Sequence, residues 1–464
     1  MARTKVAAPP RRMSSRDAGF LYLERPNAFL HIGCVAVLDG RLSSDELVAR
    51  VESRLPRLPR YAQLAIPVPL SLGHPTWEDD PGFSVSAHVR RWALPAPGGE
   101  AELGEMVAAL LAQPLDRERP LWEIHLLEGF DGGRATLFLK VHHCMVDGVA
   151  GAHLLEALLD AEPAPRERSA PRAPAATQLP APAARAGRAF ADGLRAQLRL
   201  VAGAIDAMRS PAAARDAAVR LRDAAWSALQ LATGEVPEMP WNAPVGSARR
   251  VAFTRLPLSA VRAIRARSGG TVNDVVLSVL AGGLHHYLVA NGFSTRGLEL
   301  TALVPVSLRD AQGAAALGNR ISGMLVPLCV DLAEEQPRLA ATRAITERLK
   351  AKAAWTGIDA LLAALDELPA PLVALFGAGF RPSRLANVIA TNVPGPREPR
   401  WLDGRRVEAL YPIVPIIDGI GLGLAVFSFD GHLHVGLNAS AVLVPDLEKL
   451  RRAIEAAFQR LAAG

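Results

Sequence analysis

The sequence predicts a mixed α/β protein of two lobes, and three observations carry that reading. Strand-like runs rich in Val, Ile and Phe alternate with apolar residues at helical spacing, the pattern of mixed sheets covered by helices. A segment dominated by Ala, Pro and Arg, residues 161–185, interrupts this pattern and lacks the large apolar side chains that would order it. The parts on either side of it both open on a strand followed by a helix. At 464 residues the chain is too long for one core, since domains average about 150 residues. The expected division is a first lobe over 1–160, a linker with crossover helices over 161–240 and a second lobe over 241–464.

In the first lobe, residues 29–39 read as a strand, and Ser43, Ser44 and Asp45 offer N-caps for a helix through Leu55. A helix from Glu102 to Ala112 precedes a strand from Trp122 to Leu127. The turn Asp131-Gly132-Gly133 then leads into a strand from Ala135 to Val141. Beyond Val149, Leu154, Leu155, Leu158 and Leu159 recur at helical spacing, so residues 142–148 form a loop from strand to helix. After the linker, Leu194, Leu198, Val201, Ile205 and Met208 make one helical stripe with Arg195, Arg199 and Arg209 on other faces. Such a stripe packs on a lobe or lies on a lipid surface.

The second lobe opens on a strand from Val251 to Leu256 and a helix beginning near Ser259. Thr271 and Asp274 have capping-box spacing, which starts a buried helix and puts Asn273 in its first turn. Further strands are expected at Glu299–Val306, Ser322–Val330 and Ala386–Asn392, with a closing hairpin around Asp430-Gly431. Gly419, Gly421 and Gly423 interrupt a strand-like run with no GK[ST] after them, and are read as sheet geometry.

Composition narrows the function. Half the residues are hydrophobic and 21% are charged, enough apolar material for large cores and a channel. The net charge of +6 is carried almost wholly by arginine while aromatics make up 5%, so the stacking residues of single-strand nucleic-acid binders are scarce. A phosphorylated carrier or an anionic membrane suits this balance. Three cysteines, Cys34, Cys144 and Cys329, do not make a disulfide framework, and no pair has metal-ligand spacing. The N-terminal basic residues have no apolar run behind them, and the apolar stretch Tyr411–Phe429 is broken by prolines, glycines and Asp418. The expectation is a cytoplasmic protein without a transmembrane helix.

The strongest chemical signal is the loop His142-His143-Cys144-Met145-Val146-Asp147-Gly148. Packing explains most lone histidines, but less readily two adjacent ones on a turn beside an acid and a glycine. A metal site needs further ligands, and His285, His286, His432 and His434 fall on a helix and a hairpin without an HExxH. Cys144 has only adjacency in its favour as a nucleophile. A neutral imidazole that takes a hydroxyl proton and returns it to a leaving thiolate is the reading that remains. No GxSxG elbow occurs, so direct transfer in a ternary complex is expected rather than an acyl-enzyme.

At this loop the sequence resembles the bacterial wax ester synthase/diacylglycerol acyltransferases, whose HHxxxDG motif matches His142 to Gly148. The motif alone marks a superfamily that includes chloramphenicol acetyltransferase, carnitine acyltransferases and peptide-synthetase condensation domains. SSRDAGFLYLE (14–24), PLWEIHLLEG (120–129), TVNDVVL (271–277), VPVSLR (304–309), LGNRISGMLVPL (317–328) and NVPGP (392–396) run in family order and narrow the resemblance to that family. It implies two pseudo-twofold-related, chloramphenicol-acetyltransferase-like lobes with a channel between them. Acyl-CoA would enter as co-substrate from one side and diacylglycerol or a fatty alcohol from the other, with no metal or other cofactor.

By motif position the resemblance makes His143 the general base and His142 its less critical neighbour. Asp147 becomes an orienting acid held by an arginine such as Arg309 or Arg320, and Asn273 an oxyanion donor or a helix-start residue without a catalytic part. Trp122 and Pro394-Gly395-Pro396 are read as shaping the fold. The implied site of work is the cytoplasmic side of the inner membrane or a lipid-droplet surface. Two alternatives are a carrier-protein-dependent acyltransferase acting on a polar metabolite and a non-catalytic lipid-binding protein.

Overall fold

Two six-stranded sheets organise the protein, seen in a computed structural model. It describes residues 12–69, 72–145, 155, 157–163, 179–210, 212, 214–216, 218, 219, 222, 234–307, 321–351, 365 and 368–464. The first lobe begins with α1 (Ser15–Leu23), whose Ser14 cap accepts a hydrogen bond from the Asp17 amide at 3.0 Å. Strand β1 (His31–Leu38) leads to α2 (Ser44–Arg54), started by a full capping box of Ser43 and Glu46. A small hairpin of β2 (Gln63–Ile66) and β3 (Thr76–Asp79) and the strand β4 (Val89–Ala93) follow, none of them anticipated from the sequence. Then come α3 (Glu100–Leu111), β5 (Trp122–Phe130) and β6 (Arg134–His142). The turn between β5 and β6 holds Asp131, Gly132 and Gly133 at positive φ, which the two glycines adopt without strain.

Part of the expected linker and crossover region is helical. Helix α4 (Pro182–Arg209) begins before the expected linker end at residue 185, because Pro182 suits a first helical position and the alanines after it are strong helix formers. Its Phe190, Leu194 and Leu198 are 66%, 51% and 60% exposed, so this stripe is not packed on a lobe.

The second lobe holds β7 (Arg249–Pro257), α5 (Leu258–Ser268) and α6 (Val272–Ala290), and the Thr271–Asp274 capping box is present. Helix α6 is the one described helix long and apolar enough to cross a membrane, and 72% of its apolar window is buried inside the protein. Strands β8 (Leu300–Ser307) and β9 (Ile321–Leu328), helices α7 (Glu335–Ala351) and α8 (Ala370–Gly379) and strand β10 (Val388–Pro394) come next. The chain closes with β11 (Trp401–Leu402), β12 (Arg405–Ile413), β13 (Leu422–Phe429), β14 (His432–Ser440) and α9 (Leu447–Ala463).

The first sheet has the order β11-β12-β1-β6-β5-β4 and the second β7-β14-β13-β10-β8-β9. Residues 401–413, expected within a second lobe over 241–464, are therefore part of the first sheet: β12 pairs antiparallel with β1, Cys34 opposite Pro412 and Val35 opposite Tyr411. The local pattern that makes a strand says nothing of which sheet recruits it, so this exchange was invisible in the sequence. The mixed α/β class and the two-sheet division otherwise stand as expected.

A buried ion cluster ties the exchange down. Asp160 accepts from Arg50 at 2.5 Å and Arg54 at 2.6 Å, and its main chain bonds reciprocally with Trp401 of β11 at 2.7 and 3.0 Å. Replacing Asp160 by Asn leaves two buried guanidiniums short of charge, and should cost roughly 3 to 5 kcal/mol. Removing the exposed Arg452–Glu448 pair should cost under about 1 kcal/mol. Urea denaturation of the two variants measures the contrast; equal small losses would discount the cluster.

Candidate active site

The two adjacent histidines look in opposite directions because side chains alternate along β6 and into the short 3-10 turn His143–Met145. Leu139, Val141 and His143 line a cavity between the lobes. Lys140 points to the other face, where its Nζ donates to Leu110 O and Gln113 O at the end of α3, at 3.1 and 3.2 Å. His142 is 1% exposed and does not line the cavity.

His142 instead fastens the turn. Its Nδ1 accepts the Cys144 amide at 3.1 Å, which puts the ring proton on Nε2, 3.6 Å from Glu24 Oε2. Glu24 is also paired with Arg117. Burial above all, then the Arg117 charge, lowers the His142 pKa to about 3, so the ring is neutral near pH 7. Its neighbour is held differently: the His143 amide donates to Leu30 O at 2.8 Å, and its ring stacks on Phe20 of α1 with centroids 3.9 Å apart and planes 12° from parallel. Phe20 was not singled out as a site residue from the sequence; it lies within the SSRDAGFLYLE segment, but nothing local reveals that α1 packs on the histidine turn.

The remaining expected residues fall in three places. Asp147, Gly148, Arg309 and Arg320 lie outside the described residues. Cys144 is buried, with a thiol pushed up by burial and then by the Asp17 charge, which leaves little thiolate for nucleophilic attack. Asn273 lines a second, small apolar cavity with Asn392, Ala390, Leu424 and Val426, on the helix-covered face of the second sheet. It is not brought into the cavity of His143, although Thr391 borders both spaces. Among the described residues no group of three or more His, Cys, Asp and Glu side chains could hold a metal ion.

The wall of the His143 cavity is built from both sheets: Ile32 and Cys34 of β1, Pro412 and Ile413 of β12, and Pro305, Thr391, Val393, Ala425 and Phe427 of the second. Among the described residues it is mainly apolar, with His143, Thr391 and Cys34 as its polar side chains. Burial pushes the Cys34 thiol up to about 12. Such a space accepts a hydrocarbon chain and presents it with one imidazole. The shaping residues behave as read: Trp122 is 1% exposed and donates from its indole to Tyr61 O at 2.7 Å. A side chain at Gly395 would come within 2.3 Å of Ser428 O.

Two outcomes follow from this geometry. Phe20→Leu, which removes the stacked ring, should lower turnover while Phe20→Trp retains most of it; steady-state rates on both variants check this, and an unimpaired Phe20→Leu contradicts it. His142 is buried neutral, so the unfolded chain binds its proton first. Its contribution to stability is complete above pH 6.5 and is lost as pH falls from there toward about 3. Melting temperatures of wild type and His142→Phe across that window should diverge at neutral pH and converge in acid.

Comparison with known proteins agrees with this architecture. Residues 13–276 match the wax ester synthase/diacylglycerol acyltransferase catalytic domain, and residues 317–462 the C-terminal domain of the same family. A probable diacylglycerol O-acyltransferase of Mycobacterium tuberculosis is 34% identical over 458 residues, covering 97% of this chain and 96% of that protein. The solved wax ester synthase/diacylglycerol acyltransferase of Marinobacter aquaeolei shares 25% identity with a TM-score of 0.67, over 97% of this chain and 98% of the other. The starter condensation domain of rhizomide synthetase, at 15% identity and a TM-score of 0.60 over 98% and 95% of the two chains, shares the fold. With both family domains matched along the chain and the histidine turn of its motif set against an apolar interlobe cavity, the protein belongs to the wax ester synthase/diacylglycerol acyltransferase family of acyltransferases.

Proposed function

We propose that the protein transfers a long-chain acyl group from acyl-CoA to the hydroxyl of diacylglycerol or a fatty alcohol, with His143 as general base. The observation that carries this reading is the position of His143 on the wall of an apolar cavity shared by two sheets. With both substrates bound there, the imidazole takes the hydroxyl proton as the oxygen attacks the thioester carbonyl carbon. The tetrahedral intermediate collapses with cleavage of the C–S bond, and the imidazolium returns its proton to the CoA thiolate. Each bond broken is matched by one formed, so the scheme balances without an oxidant or reductant.

The acceptors partition into lipid, and two described helices offer surfaces for reaching it. Helix α4 exposes Phe190, Leu194 and Leu198 beside Arg188 and Arg195, and α8 exposes Leu372, Leu375 and Phe376 shortly before Arg381 and Arg384. Apolar area flanked by arginine suits peripheral binding to an anionic membrane or lipid droplet on the cytoplasmic side.

His143→Ala should reduce ester formation from labelled palmitoyl-CoA with dioleoylglycerol or hexadecanol by about 10² to 10⁴, with His142→Ala milder, Cys144→Ala active and chelators without effect. Wild-type turnover in His143→Ala would refute the base, and turnover only with a loaded carrier protein would redirect the donor. In vesicle flotation, binding to anionic liposomes should weaken as salt rises and with Arg188→Glu/Arg195→Glu; salt-independent binding, or none, would remove the electrostatic surface.

A further inference from the structure

The reaction proposed above needs a donor for the negative charge that grows on the thioester oxygen, and β10 presents one. Ala390 and Asn392 line the cavity on the helix-covered side of the second sheet, while Val393 lines the interlobe cavity. Alternation along the strand therefore turns Thr391 toward the His143 side. Its neighbours in register agree: Thr391 lies opposite Ala425, and Ala425 and Phe427 line the same interlobe space, while Leu424 and Val426 line the other.

We propose that Thr391 is a catalytic residue whose hydroxyl donates a hydrogen bond to the thioester carbonyl oxygen and to the tetrahedral oxyanion. Three observations converge on it. Among the described residues lining the cavity of His143, Thr391 carries the hydroxyl, the other polar side chains there being the base itself and Cys34, a much weaker donor. Among the described residues the Thr391 hydroxyl makes no hydrogen bond, so it is available to a bound substrate. The strand holding it is central: Thr391 itself pairs in parallel with Ala425 of β13, while β8 joins the other edge at Val388 and Ile389, so the backbone that carries the donor is held before substrate arrives. A preorganised donor in an apolar site is worth more than the same group in water, because no solvent competes and nothing reorganises during the reaction. Thr391 also borders the second cavity, which places the hydroxyl where two apolar spaces meet.

The proton balance is simple. His143 receives and returns the alcohol proton, while Thr391 keeps its own and supplies only a hydrogen bond. The assignment rests on His143 acting as the base, so the closing experiment includes His143→Ala. Thr391→Val preserves shape and removes the hydroxyl; it should lower kcat by about 10² to 10³ with KM for palmitoyl-CoA and dioleoylglycerol within a few-fold of wild type. Thr391→Ser should restore most of the rate, and melting temperatures of both variants should match wild type. Wild-type kcat in Thr391→Val overturns the assignment. So does equal loss in the Val and Ser variants, which points to packing, or loss confined to Asn273→Ala, which moves the donor to the neighbouring cavity. Full activity in His143→Ala would instead remove the underlying reading of the base.

Discussion

Insertion of β12 beside β1 is the constraint on which the rest depends. A strand from the second half of the chain completes the first sheet, and a short connection then carries the chain into β13 at the heart of the second. The two sheets are thus brought face to face by covalent continuity as well as by packing, and the cavity between them takes residues from β1, β6 and β12 on one side and β8, β10 and β13 on the other. The approach is so close that a side chain at Gly436 of β14 would meet Pro412 O at 1.8 Å, a position where glycine alone fits. Neither lobe has a complete wall without the other.

Strand alternation converts this arrangement into chemistry. On β6 it separates two consecutive histidines, sending His142 to the face of Lys140, beside Glu24, and leaving His143 on the cavity wall. On β10 it separates Thr391 from Asn392 in the same manner. A one-residue slip of either strand would exchange these roles. Register is held by residues buried on both faces: Phe138 and Leu139, next to each other on β6, are 0% and 5% exposed.

The apolar lining has consequences for the reaction as well as for substrate choice. Water competes with an alcohol for an acyl thioester, and a space walled by Ile32, Val393, Ile413 and Phe427 favours the hydrocarbon-bearing nucleophile by excluding water. The histidine turn is held by local bonds: the His143 amide to Leu30 O, the Cys144 amide to His142 Nδ1, and the stack of Phe20. Helix α1 is anchored in turn by Arg25, which donates to Gly377 O and Ala378 O at the end of α8 at 3.0 and 2.9 Å. The stack beside His143 and the exposed apolar helix therefore rest on one element.

By itself the sequence determined what local physics can specify. The N-cap at Ser43, the capping box at Thr271, glycine turns after β5 and β13 and runs of β-branched residues placed most helices and strands within a few residues, and the His142–Gly148 loop after a buried strand marked His143 as the candidate base. These features depend on neighbours along the chain, so they are legible in one dimension. Tertiary structure alone decided which sheet took β12, that Phe20 would lie on His143, and that Asn273 would line one cavity while Thr391 borders both. Those outcomes join residues hundreds of positions apart through non-directional apolar burial, and a hydrophobic strand carries no mark of the partner it will bury against.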